Sequence, residues 1–207
     1  MLVEKDMFRL FPSLIFKGKI DDDKIIDDSL NSVMKIKDMN YGTKTQNKFT
    51  TNDNLQTLPE FNKLCNIILI ETGNVLDFFS VKRDDHYITS MWSHITGANH
   101  RHISHTHPNN YLSGVVYLQT PENCGNTIFL DPRAGSRMIH PDYDEPNYFN
   151  MDSFIHKPKK GNMLIWQSWL PHMVDYDSEP STEQRVIISF NIMFKGSVQR
   201  SSEKMYF

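Results

Sequence analysis

The chain has 207 residues, 39% of them apolar and 12% aromatic, enough for one domain with a substantial core. Its 22 basic residues nearly balance 25 acidic ones, for a net charge of −3, and no basic stripe with interleaved aromatics marks a nucleic-acid surface. No apolar run approaches the roughly 18 residues of a membrane span, and the charged start Glu4-Lys5-Asp6 lacks a signal-peptide pattern.

Two cysteines are too few for a disulfide framework. Cys65, in an apolar helical pattern, reads as a buried free thiol, and Cys124, in the turn Pro121 to Asn126, as a surface one. Both fit a reducing, cytoplasmic compartment.

Taken in order, Leu10 to Phe16 is a short apolar run interrupted by Pro12, suited to an edge or opening strand. Asp21-Asp22-Asp23 precedes Ile25, Ile26, Leu30, Val33 and Met34 at three-to-four spacing, which predicts a helix from Asp22 to Lys37 with a capped acidic start. Met39 to Gln56 is polar and predicts a loop with at most one short strand. Pro59 opens a second helix, Pro59 to Val81, with Gly73 weakening its middle. The two helices are expected to cover a sheet.

From His86 the pattern turns aromatic and β-branched. Strands are predicted at His86–Ile95, His102–His107, Tyr111–Gln119, Thr127–Leu130, Ser153–His156, Met163–Gln167, His172–Tyr176 and Val186–Phe194. Gly, Pro and Asn fill the turns. So many short strands imply a β-sandwich or barrel. Asp131 to Met151, with three prolines and the aromatics Tyr143, Tyr148 and Phe149, has the length of a lid or binding loop. The expected organisation is a single domain: residues 1–85 as strand and helices packing on the barrel, 86–194 as the barrel core, and 195–207 as a polar tail.

Of nine histidines, His86, His94, His100, His102, His140 and His156 read as surface or hydrogen-bonded residues. His105 and His107 differ. Residues two apart on a strand share a face, so their imidazoles can aim at one point. His172, after Pro171, can complete a triangle across a barrel mouth. Three imidazoles leave positions open for substrate on Fe(II), Zn(II), Ni(II) or Cu(II), and residue chemistry alone does not choose. Arg185, thirteen positions on (185 − 172), opens the last strong strand with a planar fork suited to a carboxylate.

His105-x-His107, Leu112 to Leu118, Phe129-Leu130-Asp131-Pro132-Arg133, Gly161 through Pro171-His172, and Arg185 through Asn191 resemble a family of 2-oxoglutarate- and iron(II)-dependent oxygenases. So does the opening Leu10-Phe11-Pro12. The resemblance covers most of the chain, and its order and spacing are more specific than any one piece. It implies a double-stranded β-helix of the jelly-roll and cupin kind, with Fe(II) and 2-oxoglutarate as cofactors. It makes His105 and His172 metal ligands and pairs Arg185 and Tyr117 with the far carboxylate of 2-oxoglutarate. Asn99, Tyr111, Ser113 and Asn191 are further cosubstrate-pocket candidates.

Two departures stand out. The family's usual carboxylate ligand is His107 here, which leaves an iron site one charge unit more positive; Asp131 is the alternative carboxylate. Ile187 stands where many members carry a serine, so that contact is either lost or made by Ser189 or Asn191. The implied reaction is oxidative decarboxylation of 2-oxoglutarate coupled to hydroxylation of a substrate the sequence does not identify. The alternatives are a cupin-like three-histidine metalloenzyme without 2-oxoglutarate, and a non-catalytic jelly-roll binding protein. A homo-oligomer is compatible with the sequence and not required by it.

Overall fold

A computed structural model describes residues 6–45, 47–97, 100–133, 135–136, 138–139, 141–175, 183–198 and 205–206. The first strand, β1 (Ile15–Lys19), is an edge strand as expected but begins later than the apolar run, and Leu10 and Phe11 before it are exposed. Helix α1 (Asp23–Asp38) is capped by Asp22, whose carboxylate accepts the backbone N–H groups of Lys24 and Ile25. Its stripe Ile26, Ser29, Val33 and Ile36 is buried.

The predicted loop that follows is instead a hairpin, β2 (Gly42–Thr45) and β3 (Lys48–Thr51). Pro59 opens a short 3-10 turn that leads into α2 (Asn62–Phe78), which stops three residues early where Ser80 takes a left-handed conformation. Gly73 lies inside this helix because a side chain there would press on the His86 ring, whose Nε2 bonds the Leu69 carbonyl at 2.8 Å.

The remaining strands are β4 (Asp85–Thr96), β5 (His102–His105), β6 (Leu112–Gln119), β7 (Thr127–Leu130), β8 (Ser153–His156), β9 (Asn162–Gln167), β10 (His172–Val174) and β11 (Arg185–Lys195). The tail is not featureless: β12 (Ser197–Val198) pairs with β13 (Met205–Tyr206).

The main strands form two antiparallel sheets. One has seven strands in the order β1-β9-β6-β11-β4-β3-β2, the other four in the order β5-β10-β7-β8. This is the expected jelly roll, with one adjustment: β1, β2 and β3 of the first 85 residues complete its large sheet rather than merely covering it.

Alternation divides the large sheet into two faces. Val186, Ile188, Phe190 and Ile192 of β11 point outward with Leu112, Val116, Met163 and Ile165, into a core closed by Ile26, Val33, Phe61, Leu64 and Ile68 of the helical layer. Gly114 sits where any side chain would collide with the Phe190 ring. The inner face holds Val115, Tyr117, Leu164, Trp166 and Ile187, packed on Phe129 and Leu170 from the small-sheet side. Cys65 is a buried free thiol, pushed up to about 11 by burial. Cys124, expected on the surface, is buried too, because its turn is tied down by Asn126 Nδ2 donating to Asp175 Oδ2 at 3.2 Å and the Asp175 N–H donating to the Asn126 carbonyl.

Candidate metal centre

Strand register sets the inner face in rungs. Asn191 lies between Ser90 and Ser113, Ser189 between Trp92 and Val115, Ile187 between His94 and Tyr117, and Arg185 beside Thr96. The small sheet supplies the opposite wall, where His172 of β10 is the cross-strand neighbour of His105 on one side and of Phe129 on the other.

His105 and His107 do not converge as two residues of one strand. β5 ends at His105, and His107 is held by its backbone N–H, which donates to the Ser168 carbonyl at 3.0 Å. Cross-strand pairing and that clamp together bring the three rings into one group. Nitrogens of His105, His107 and His172 all lie within 4.8 Å of one another, with 3.3 Å between Nε2 of His107 and Nε2 of His172. That last span suits two bonds of about 2.0–2.1 Å to a common ion.

Hydrogen bonds fix the tautomers of two of these rings. His105 Nδ1 donates to the Ile103 carbonyl at 2.9 Å, and His172 Nδ1 to the Leu170 carbonyl at 3.0 Å. Each Nε2 is left with a free lone pair, the form a metal requires. Burial, reinforced by the neighbouring imidazoles, lowers His172 to about 3 and His107 to about 4. The rings of His107 and His172 are therefore neutral at pH 7, and a cation can bind these two without displacing a proton.

Arg185 is 6% exposed, and its Nε and Nη2 have no hydrogen-bond partner among the described residues. Its guanidinium carbon lies 5.6 Å from the Tyr117 ring centre, and the Tyr117 hydroxyl bonds Thr127 Oγ1 at 2.7 Å. Burial raises the Tyr117 phenol above its usual range, so it stays protonated. A buried guanidinium with unpaired N–H groups is costly unless an anion completes it. A carboxylate fits that need in charge and in planar geometry.

Other predicted pocket residues lie elsewhere. Ser113 and Asn191 belong to a buried chain in which Ser113 Oγ donates to Asn191 Oδ1 at 2.8 Å, lies 2.8 Å from Ser168 Oγ, and Asn191 Nδ2 donates to Ser90. Asn191 is six residues along β11 from Arg185 (191 − 185), roughly 20 Å of strand, so it does not share Arg185's end of the barrel. Tyr111 packs on Phe194, 5.3 Å between ring centres, in the helix-side core. Asn99 lies outside the described residues.

Asp131 is not in the ligand group. Its two oxygens are engaged by Arg133, at 2.7 Å for the closest contact, which holds its carboxyl well below the usual range. Ser189 is half-buried between Trp92 and Val115, and Ile187 faces inward as an apolar wall. The long loop from Asp131 is tied at its base by the Asp131 N–H donating to the Asp152 carbonyl, and Tyr148 and Phe149 on it are exposed.

Sequence reasoning missed His102, whose ring lies 4.2 Å from that of His105, and Trp92, whose ring stacks near His107 at 5.9 Å. Alternation along β4 is the signal that places Trp92 and His94 on the inner face.

The family model described as "Putative 2OG-Fe(II) oxygenase" matches residues 90–191. No curated protein matches the chain. Among solved structures, the epimerase SnoN, in complex with Fe3+, alpha ketoglutarate and nogalamycin RO, superposes with a TM-score of 0.65 at 11% identity, over 88% of this chain and 80% of its own. A prolyl-4-hydroxylase from Pseudomonas putida gives 0.65 at 9%, covering 89% of this chain and 94% of its own. The collagen prolyl hydroxylase of Paramecium Bursaria Chlorella virus-1, in complex with 2OG, gives 0.53 at 15%, covering 85% and 94%. At these identities the likeness is one of fold.

Proposed function

We propose, for a chain that belongs to the 2OG-Fe(II) oxygenase family through residues 90–191, that His105, His107 and His172 hold iron(II) and that Arg185 with Tyr117 holds the far carboxylate of 2-oxoglutarate. The observation that carries this reading is the juxtaposition on one barrel interior of three imidazoles whose ring nitrogens converge and, among the described residues, a buried guanidinium with unpaired N–H groups. The protein is a 2-oxoglutarate- and iron(II)-dependent oxygenase.

When bound, iron(II) and 2-oxoglutarate supply the oxidation: 2-oxoglutarate and dioxygen give succinate and carbon dioxide, and one oxygen atom goes to the substrate as a hydroxyl. The chain's own residues bind and orient. His105 and His172 keep their Nδ1 protons on main-chain carbonyls and present Nε2. Arg185 offers its fork to the carboxylate, and the Tyr117 hydroxyl, protonated and anchored on Thr127, offers a second donor beside it. Phe129, Leu164, Trp166, Leu170 and Ile187 form an apolar lining that excludes water and strengthens the Arg185–carboxylate attraction. The buried cysteines Cys65 and Cys124, neither in a disulfide, support a reducing, cytoplasmic setting.

The test is succinate release from 2-oxoglutarate by the purified chain with iron(II) and dioxygen, across a panel of peptides, sugars and aromatic compounds. Turnover above that of iron(II) in buffer, abolished by His172→Ala, is the expected result. Metal uptake with no succinate on any substrate, and none in its absence, would instead mark a three-imidazole metalloenzyme that does not use 2-oxoglutarate.

A further inference from the structure

The three imidazoles are not held alike. Those of His105 and His172 are fixed by Nδ1–H donation to main-chain carbonyls. His107 has no such partner for Nδ1 among the described residues. Its ring is instead flanked by two nearly parallel rings: His172, tilted by 6° at 5.1 Å, and Trp92, tilted by 29° at 5.9 Å.

Trp92 is in turn locked. Its indole Nε1 donates to His94 Nε2 at 3.0 Å, and His94 Nδ1 lies 3.0 Å from Thr50 Oγ1. An indole N–H can only donate, so His94 Nε2 must carry the lone pair and Nδ1 the proton, which it gives to Thr50. The direction of the chain is thereby fixed across two neighbouring strands, from β4 to β3, with His94 and Thr50 as cross-strand partners.

We infer that Trp92, set by His94 and Thr50, is a positioning residue for the His107 imidazole, so that the barrel is built to present a ring at this ligand position and not a carboxylate. This deepens the metal-site reading above and rests on it. An aspartate side chain is shorter and its carboxylate is anionic, and the negative face of an indole does not favour it, so the Trp92 arrangement serves a histidine specifically. It takes over the orienting task that a carbonyl performs for the other two ligands.

The experiment measures Co(II) affinity of the metal-free, full-length chain by competition with a chelator, together with the visible spectrum of bound Co(II) and the melting temperature of each variant. Trp92→Leu is expected to weaken Co(II) binding about 10-fold or more and to shift the Co(II) spectrum. His94→Leu is expected to reproduce most of that loss. His94→Gln, whose amide can both accept from the indole and donate to Thr50, restores it. In a His107→Asp background, Trp92→Leu has no effect on Co(II) affinity.

Equal weakening in both backgrounds, or a fall in melting temperature with Co(II) affinity unchanged, overturns the inference. Should His107→Asp take up no Co(II), the His94→Gln variant decides: recovered affinity supports the inference and no recovery overturns it. A wild-type chain that takes up no Co(II) overturns the metal site itself, whereas a wild-type chain that binds Co(II) without regard to Trp92 overturns only this inference.

Discussion

The two faces of the seven-stranded sheet carry opposite kinds of side chain on the same strands. Outward, β11 contributes Val186, Ile188, Phe190 and Ile192, all fully buried and apolar, to the helix-covered core. Inward, it contributes Arg185, Ile187, Ser189 and Asn191, and the surrounding wall holds buried polar atoms with no partner: Nε and Nη2 of Arg185, Nε1 of Trp166 and Nε2 of His156. Each such group costs free energy where it stands. The outer face holds the helix-covered core; the inner face carries the candidate site.

The largest stability effect should therefore come from the outer face. Phe190→Ala empties a site that is 0% exposed and should lower unfolding free energy by about 3–5 kcal/mol, read by denaturant titration. Metal affinity measured well below the new melting point should stay as it was. A loss of metal binding without loss of stability would break the division between the faces.

The inner face should respond the other way. Arg185→Met removes a buried charge whose Nε and Nη2 have no partner among the described residues, so stability should hold or rise. Binding of 2-oxoglutarate should weaken by about 2–5 kcal/mol, judged from the cost of truncating one member of a buried charge pair. Calorimetry and KM for 2-oxoglutarate check both halves. Undiminished cosubstrate binding would sharpen the comparison against us, by making Arg185 a purely structural cation.

His156 tests the inner wall by pH. Burial lowers it to about 4, from an unfolded value near 6.5. The unfolded chain then binds the extra proton between those two values, so stability is full above about 6.5 and is lost as pH falls toward 4. His156→Phe should flatten that part of the stability–pH curve, by an amount on the order of 1–3 kcal/mol. A slope that persists unchanged would place the acid sensitivity elsewhere.

The smallest effect is expected at Asp131→Asn. Arg133 is 61% exposed at the side chain though Asp131 is 8% exposed, and the asparagine keeps one oxygen that can accept from Arg133, so the loss of stability should be small, about 1 kcal/mol. Metal affinity should not change, because Asp131 is not in the ligand group. A clear drop in metal affinity would bring Asp131 back as a ligand.

How much of this was legible depended on whether local rules and tertiary contacts agreed. Helix α1 was read to within a residue, since Asp22 caps it and its apolar spacing is regular. The β2–β3 hairpin was not, because its inward residues Lys48 and Thr50 are polar and only Phe49 and Thr51 are fully buried, so no alternation of apolar and polar marks it. The three histidines and Arg185 were visible through their order along the chain. That His107 is delivered by a clamp on Ser168 rather than by strand pleating was not, as it depends on a contact with a residue sixty-one positions away (168 − 107). Ser113 and Asn191 looked like pocket residues beside Tyr117 and Arg185 in sequence. Counting rungs along a strand separates them, because polar residues recur at every second position over the whole length of the barrel wall.

The most direct test of the central claim, that the imidazole group and Arg185 form one composite site, is an anaerobic titration of the iron(II)-loaded chain with 2-oxoglutarate, followed by its visible charge-transfer absorption. One equivalent each of iron(II) and 2-oxoglutarate should produce the band in the wild-type chain. His172→Ala should abolish it, and Arg185→Met should require far more 2-oxoglutarate to reach it. No band in the wild-type chain, or a band unchanged in both variants, would contradict the account.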